Sequence, residues 1–430
     1  MTQALRIAIA GLGTVGTSVV AILEQQREML RARTGRNIII TAVSARDQNK
    51  ERSISIAPYR FEADPLALAT AADVDVVVEL MGGAEGAARK LVEAALANGK
   101  HVATANKALI ATHGAALAGS AEKNNVSLTF EAAVAGGIPI LKLLREGLAG
   151  NAFSRVIGIL NGTCNYILTH MWEQKREIQD VLAEAQRLGY AEADPSFDVD
   201  GVDAAHKLSI LTALAYGTAP DLKNLTIEGI RSITLRDMEF ADELGYVVRL
   251  LGITSQSDGG ILQRVHPCLV AKGSSLASVR GVFNAVQVEG DASGSIFIQG
   301  RGAGGNPTAS AVVADIADIA RGNKNYAFGS SANALAALAP APMASLECAY
   351  YVRLGVIDKP GVLADITAIF RDSSISLKSF IQHGQSAGEK VYLVIETHNI
   401  KEADMRQALA KMANQPSVLD PPFSIRIESL

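Results

Sequence analysis

The stretch IAIAGLGTVGTSVV, residues 7–20, restricts the possible folds of this chain more than any other. It sets Gly11, Gly13 and Gly16 between an apolar strand-like run and an apolar helix-like run. In a strand–turn–helix unit the first glycine permits a tight turn, the second lets backbone approach a pyrophosphate, and the third lets helix and strand pack closely. The helix start, here Thr14, Val15 and Gly16, offers free N–H groups and a positive dipole end to phosphates. A G-x-G-x-x-G string is weak by itself and gains weight from its context.

The context is an alternation that continues to about residue 135. ALRIAIA, NIIITAV, VDVVVEL, KHVAT and VSLTF read as buried strands, and TVGTSVVAILEQQREMLRAR and AEGAARKLVEAALANG between them read as helices. Strands alternating with helices imply an α/β fold, a Rossmann-type doubly wound parallel sheet with helices on both faces. After the second strand, TAVSARDQNKER presents Arg46 and Lys50 where an NAD site usually ends in an acid. A guanidinium there suits a 2′-phosphate, which favours NADP, while Asp47 leaves NAD open.

From 136 to about 325 the pattern changes to helices at 178–188 and 203–217, then strand candidates at 260–271 and 294–300, then a long amphipathic helix at 306–322. This predicts an α+β second domain. Residues 329–345, GSSANALAALAPAPMAS, carry no charge and read as the centre of a linker over 326–347. Residues 348–430 read strand, helix, strand, strand, helix, strand, a βαββαβ ferredoxin-like module separate from the rest.

The segment EADPSFDVDGVDAAHKL, residues 192–208, concentrates Glu192, Asp194, Asp198, Asp200 and Asp203 ahead of a lone cation, Lys207. A calcium loop ending at Gly201 would put Ser196 at a ligand position and Lys207 where a closing glutamate belongs, so that reading fails. A solvated turn fits ADPSFD. Asp203 and Lys207, however, stand four apart on a helix whose other residues are mostly apolar. The spacing alone also fits a surface ion pair. A lysine held among carboxylates can hand a proton to a carbonyl oxygen as hydride arrives, and acids beside it can hold a substrate ammonium. The pattern suits reduction of an amino-acid aldehyde.

These residues match a known family. GYAEADPSFDVDGVDAAHKL, with GLGTVG upstream and EAAVAGGIPI between, resembles homoserine dehydrogenase over about residues 5–325. The resemblance implies reversible NAD(P)H-dependent reduction of L-aspartate 4-semialdehyde to L-homoserine, a step towards threonine, methionine and isoleucine. It implies Lys207 as the group that moves the proton, Asp203 as its partner, and Glu192 and Asp198 as substrate-site acids. It places Lys107, in TANKALI, near the nicotinamide and the substrate carboxyl, and Gly305, with Gly304 as the alternative, in GRGAGGNPTAS at the return to the cofactor. FEAAVAGGIPI is similar to the family's monovalent cation site, which implies sodium on backbone oxygens of Glu131, Val134, Gly136 and Ile138. The resemblance further implies a homodimer and leaves open whether dimers pair into tetramers. The strand–DKPGVL–helix opening of the last module resembles an ACT domain, which implies an amino-acid effector, threonine, near Gly361.

Two rivals remain. Cys164 in NGTCNY could serve as the thiol of an oxidising, thioester-forming aldehyde dehydrogenase, or as a small buried hydrophobe. Alternatively the nucleotide fold could be scaffold for a non-catalytic amino-acid sensor. Other classes are excluded more simply. A net charge of −4 offers no basic excess for nucleic acid. No apolar run reaches the roughly 18 residues of a membrane span. Three widely separated cysteines and the absence of a signal-peptide pattern predict a reduced, cytoplasmic protein.

Overall fold

A computed structural model describes residues 3–257, 259–337, 339–383 and 388–429; Leu338 of the expected linker, residues 384–387 of the expected C-terminal module and the terminal Leu430 lie outside the described residues. The first sheet is parallel throughout. Its strands run in the order Arg60–Glu62, Ile38–Ser44, Leu5–Ala10, Val76–Glu79, His101–Thr104, Leu128–Thr129. This is the 3-2-1-4-5-6 order of a doubly wound dinucleotide fold, with its topological switch point between Leu5–Ala10 and Val76–Glu79. The glycine turn opens at that point. The expected single helix over 14–33 is two, Thr14–Gln25 and Arg27–Thr34, broken at Gln26 (φ −104°, ψ 18°). The strand Arg60–Glu62 has only three residues and no alternating pattern of its own.

The second sheet is mixed. Its main path runs Gly294–Arg301, Phe283–Gly290, Phe153–Ile159, Tyr246–Ser257, Gly260–Ala271, Phe423–Glu428, Glu347–Ile357, Lys390–Thr397, Leu377–His383. The last four strands are the ferredoxin-like module, and the module is not separate. Its C-terminal strand pairs in parallel with Gly260–Ala271, Cys268 opposite Arg426 and Val270 opposite Glu428. An exposed strand edge is a ready template for pairing, and here one part of the chain covers the edge of another. The linker is pinned rather than free. Phe328 is buried against Phe130 at 5.1 Å between ring centroids, and Glu122 accepts from Ser331 Oγ and the Ala332 N–H.

The helix Val202–Tyr216 lies across the second sheet with Leu208 and Leu211 in one core cluster with Leu160, Val156 and Val265. Eleven of its residues are buried, which explains why its apolar residues surround the whole helix rather than forming one stripe. The helix Gly305–Arg321 leaves the second sheet and packs Ala309, Val312 and Ile316 with Val19, Val20 and Leu23 of the glycine-turn helix. Among the described residues no helix is long and apolar enough to cross a membrane.

Candidate active site

The glycines of the turn occupy three different environments. Gly11 has φ +102°, and a Cβ there would sit 2.5 Å from the Leu80 carbonyl oxygen. Gly13 faces open space, and a Cβ on Gly16 would lie 2.0 Å from the Gly11 oxygen. Turn, open approach and close helix–strand packing are thus divided among them as a pyrophosphate site requires. Thr14 is exposed and Val15 half-buried at the helix start. A cavity of about 570 Å³ adjoins the turn, lined among others by Gly11, Gly13, Arg46, Lys50 and Met81. Arg46 and Lys50 are both exposed on its rim. Gly305 fits against the same helix start: a Cβ there would meet Ser18 Oγ at 2.6 Å and Thr14 at 3.3 Å.

One residue unremarked in the sequence shapes the far wall. The fully buried Glu79 accepts from the N–H groups of Met81 (2.7 Å) and Gly82 (3.1 Å) and from Thr104 Oγ1 (2.6 Å). Thr104 Oγ1 in turn accepts from the Asn106 N–H, and Asn106 caps the next helix by accepting from the Leu109 N–H at 3.1 Å. That helix begins at Lys107. The network therefore fixes the cavity wall and the lysine together, just beyond the carboxyl ends of the parallel strands where such folds bind ligands.

Lys107 meets the second domain's helix at Asp203, Nζ to Oδ1 3.1 Å. Lys207 meets the other oxygen, Nζ to Oδ2 2.7 Å, and donates also to the Leu160 carbonyl at 2.7 Å. Asn161 Nδ2 donates to both Asp203 (2.8 Å) and Asp198 (2.7 Å). Burial works against ionisation of Asp203, but the charges of Lys207 and Lys107 and the hydrogen bonds of Lys207 and Asn161 outweigh it, holding the carboxyl well below the ordinary range. Asp198 goes the other way, raised by burial and by the Asp203 charge. Lys107 also lies over Phe197, 5.6 Å from its centroid, and Phe197 stacks edge-on with His206.

Lys207, Asp203, Asp198 and Lys107 thus converge. Glu192 does not join them: it is exposed, and its carboxylate makes no hydrogen bond or ion pair among the described residues. Asp194 shapes the turn by accepting from the Ser196 N–H, and Asp200 pairs with Arg231. Glu131, Val134, Gly136 and Ile138 line a buried loop where Ala135 (φ +53°) and Gly136 (φ +35°) turn left-handed. The Glu131 carboxylate accepts from the N–H groups of Leu141 and Lys142; burial and Asp315 push it up to about 7. Gly361, φ +97°, stands exposed at the start of the helix Val362–Asp372. Cys164 is fully buried, its thiol donating to the Asp198 carbonyl at 3.2 Å and pushed well up by burial and by Asp198 and Asp203. A thiol so placed is a poor nucleophile, which disfavours the thioester rival.

Known proteins resemble this chain in sequence and in fold. The family model described as homoserine dehydrogenase matches residues 139–317, that described as homoserine dehydrogenase, NAD binding domain, matches 11–131, and that described as ACT domain matches 350–415. Homoserine dehydrogenase of Neisseria gonorrhoeae is 45% identical over 435 residues, covering 99% of this chain and 98% of its own. The chain belongs to the homoserine dehydrogenase family. The solved structure of a homoserine dehydrogenase from Thiobacillus denitrificans superposes with a TM-score of 0.94 at 42% identity, over 99% of this chain and 98% of that one. A hyperthermophilic archaeal homoserine dehydrogenase, solved in complex with NADPH, has a TM-score of 0.63 at 28% identity, over 75% of this chain and 100% of its own. The protein is accordingly a homoserine dehydrogenase, an oxidoreductase with a Rossmann-type nucleotide-binding part, a mixed-sheet catalytic part and a C-terminal ACT domain.

Proposed function

We propose that this enzyme interconverts L-homoserine and L-aspartate 4-semialdehyde with NADP(H) as the preferred nicotinamide, on the way to threonine, methionine and isoleucine. The observation that carries the reading is Lys207, nearly buried, with its ammonium directed by both the Leu160 carbonyl and Asp203. When bound, the nicotinamide supplies or accepts the hydride. Lys207 gives its proton to the oxygen of the aldehyde during reduction and takes it back from the hydroxyl during oxidation. Asp203 holds Lys207 in place. Lys107 makes a single contact to Asp203 and keeps donors for the substrate carboxylate, while Asp198 and the exposed Glu192 receive the amino group. The proposed division of labour is 1–135 for the nucleotide, 136–325 for catalysis and dimerisation, 326–347 as linker and 348–430 as ACT regulator, in a cytoplasmic homodimer.

The NADP preference rests on Arg46 and Lys50 at the cavity rim and agrees with the NADPH bound by the archaeal relative. A charge-assisted hydrogen bond of about 1.5–3 kcal/mol is worth about tenfold or more in affinity. Arg46→Ala should therefore raise KM for NADP⁺ by about tenfold and leave KM for NAD⁺ nearly unchanged; equal effects on both would remove Arg46 from the 2′-phosphate site. For the cation, the loop's left-handed turn at Ala135 and Gly136 leaves the Val134 and Gly136 carbonyls free of hydrogen bonds among the described residues. Asp315 Oδ1 nearby, which accepts no hydrogen bond and has Lys142 at 3.6 Å as its ion-pair partner, adds negative charge. Both fit a hard monovalent ion such as sodium on the backbone oxygens of Glu131, Val134, Gly136 and Ile138.

The direct test incubates the protein with L-homoserine and NADP⁺, then NAD⁺, in sodium or potassium buffer, and follows reduced nicotinamide by absorbance. Reduction of either cofactor supports the reaction and ranks the pair; silence with both, in folded protein, favours the sensor reading. The same assay with added L-threonine tests the effector reading at Gly361. A fall in rate is expected, and an unchanged rate and thermal midpoint would argue against threonine.

A further inference from the structure

Between the strand Phe153–Ile159 and the helix Gly162–Gln174 lies the dipeptide Leu160–Asn161, which bonds Lys207, Asp203 and Asp198. The Leu160 carbonyl accepts from Lys207. Asn161, 4% exposed, caps the helix: its Oδ1 accepts from the Cys164 N–H at 2.7 Å. That bond fixes which way the amide faces, because an N–H must point at an oxygen. The two hydrogens on Nδ2 then go one each to Asp198 Oδ1 (2.7 Å) and Asp203 Oδ2 (2.8 Å).

Two carboxylates this near repel each other, and the repulsion grows with burial. Asp198 faces Asp203 and Lys207 on the helix Val202–Tyr216, and Asn161, Thr163 and the Cys164 thiol on its other side. Lys107 and His206 lie beyond Asp203 and do not reach it. Of these neighbours, Asn161 is the one that donates to both acids. A neutral amide can do so without adding a charge that would compete with a substrate ammonium.

We propose that Asn161 is a positioning residue for the reaction, its amide tying Asp198 to Asp203 so that the first is aimed at the substrate's amino group and the second at Lys207. The inference rests on the roles proposed above for Lys207, Asp203 and Asp198, and adds the group that sets their geometry. The burial and mutual charge that raise Asp198 agree with it: without the amide, Asp198 would take up a proton more readily and lose its hold on an ammonium.

Asn161→Ser separates this role from helix capping, because serine is an equally good N-cap but lacks the two N–H donors. Expected is a folded variant with a modestly lowered thermal midpoint and unchanged NADP⁺ affinity by fluorescence titration, with KM for L-homoserine raised about tenfold or more. The rise in KM should exceed the fall in kcat, and the acid limb of kcat/KM against pH should move to higher pH. Asn161→Asp keeps the shape and the cap while adding a third carboxylate, so its acid limb should move further; it carries the same test if the serine variant fails to fold. Wild-type KM and pH profile in either folded variant would overturn the proposal. So would a joint loss of activity and thermal stability with an unmoved acid limb, which would leave Asn161 only as a helix cap. Lys207→Ala measured alongside separates the two ideas: full turnover there sinks the proton-transfer reading, whereas its loss beside an unaffected Asn161→Ser sinks the inference alone.

Discussion

Replacing Lys207 with alanine is expected to lower turnover of L-homoserine by about 10²- to 10⁴-fold, the usual contribution of a positioned acid or base. NADP⁺ affinity should change little, since Lys207 lies on the second domain's helix and outside the lining of the nucleotide cavity. The variant should still fold. Asp203 keeps Lys107 at 3.1 Å and Asn161 at 2.8 Å, so its charge is not left unpartnered when the ammonium is removed. Lys207→Gln sharpens the test. Its amide can still donate to Asp203 and Leu160 but has no proton to transfer, so it should be as slow as alanine while preserving local structure. Steady-state rates for both variants with NADP⁺ and L-homoserine, beside cofactor titration by fluorescence, give the answer. A glutamine variant retaining near wild-type kcat would reduce Lys207 to an orienting group.

The parts of this site that were legible in the sequence are those carried by local geometry. Gly11, Gly13 and Gly16 could be read because each has its own steric task within one turn. Asp203 and Lys207 could be paired because four residues make one helical turn. Lys107 is different. It reaches Asp203 only because the start of a helix in the first domain is folded against a helix of the second, and no periodicity reports that; the resemblance to a family points to it. Asn161 carries a local signal, an asparagine immediately before a helical run, which is the signature of an N-cap but says nothing of its two donors to Asp198 and Asp203. The strand Phe153–Ile159 is less legible, because it is paired on both sides in the sheet interior and its apolar residues do not alternate strictly. Least legible was the docking of the ACT domain. Main-chain pairing of one strand edge with another leaves no mark in side-chain pattern. The clue lay in FSIRIE, where Arg426 and Glu428 alternate with Ile425 and Ile427 yet are themselves buried.

Removing that arginine should have the largest effect on stability. Arg426 donates to both oxygens of Glu402 (2.8 and 2.7 Å) within the ACT domain and to both oxygens of Glu228 (2.8 and 2.9 Å) in the catalytic part. Burial opposes ionisation of Glu402, but the hydrogen bonds and charge of Arg426 prevail and hold it down at about 2. Glu402 keeps Tyr350 Oη at 2.5 Å and Arg406 Nε at 2.8 Å, so losing Arg426 removes its buried cation but not every partner, at a cost of about 3 kcal/mol, the low end for a broken buried pair. Arg426→Ala should lose about that much, read as an early transition by circular dichroism in urea. The only tryptophan, Trp172, sits in the catalytic helix Gly162–Gln174, so its fluorescence should report a later transition if the ACT domain loosens first. The acid dependence follows from the direction of the Glu402 shift. A carboxyl lowered from 4.5 in the folded state stabilises fully above that value and loses the contribution as pH falls towards about 2. The wild type should therefore weaken across that window, and Arg426→Ala should weaken less. Catalysis should respond as well. Glu228 is followed by Ile230, whose N–H bonds the Val199 carbonyl, and by Arg231, paired with Asp200; both partners directly follow Asp198, the acid proposed to receive the substrate's amino group. Freeing Glu228 should loosen that turn and raise KM for L-homoserine more than it lowers kcat. Coincident wild-type unfolding curves and an unchanged KM in the folded variant would mean that the continuous sheet alone, without this ionic bridge, joins the ACT domain to the site.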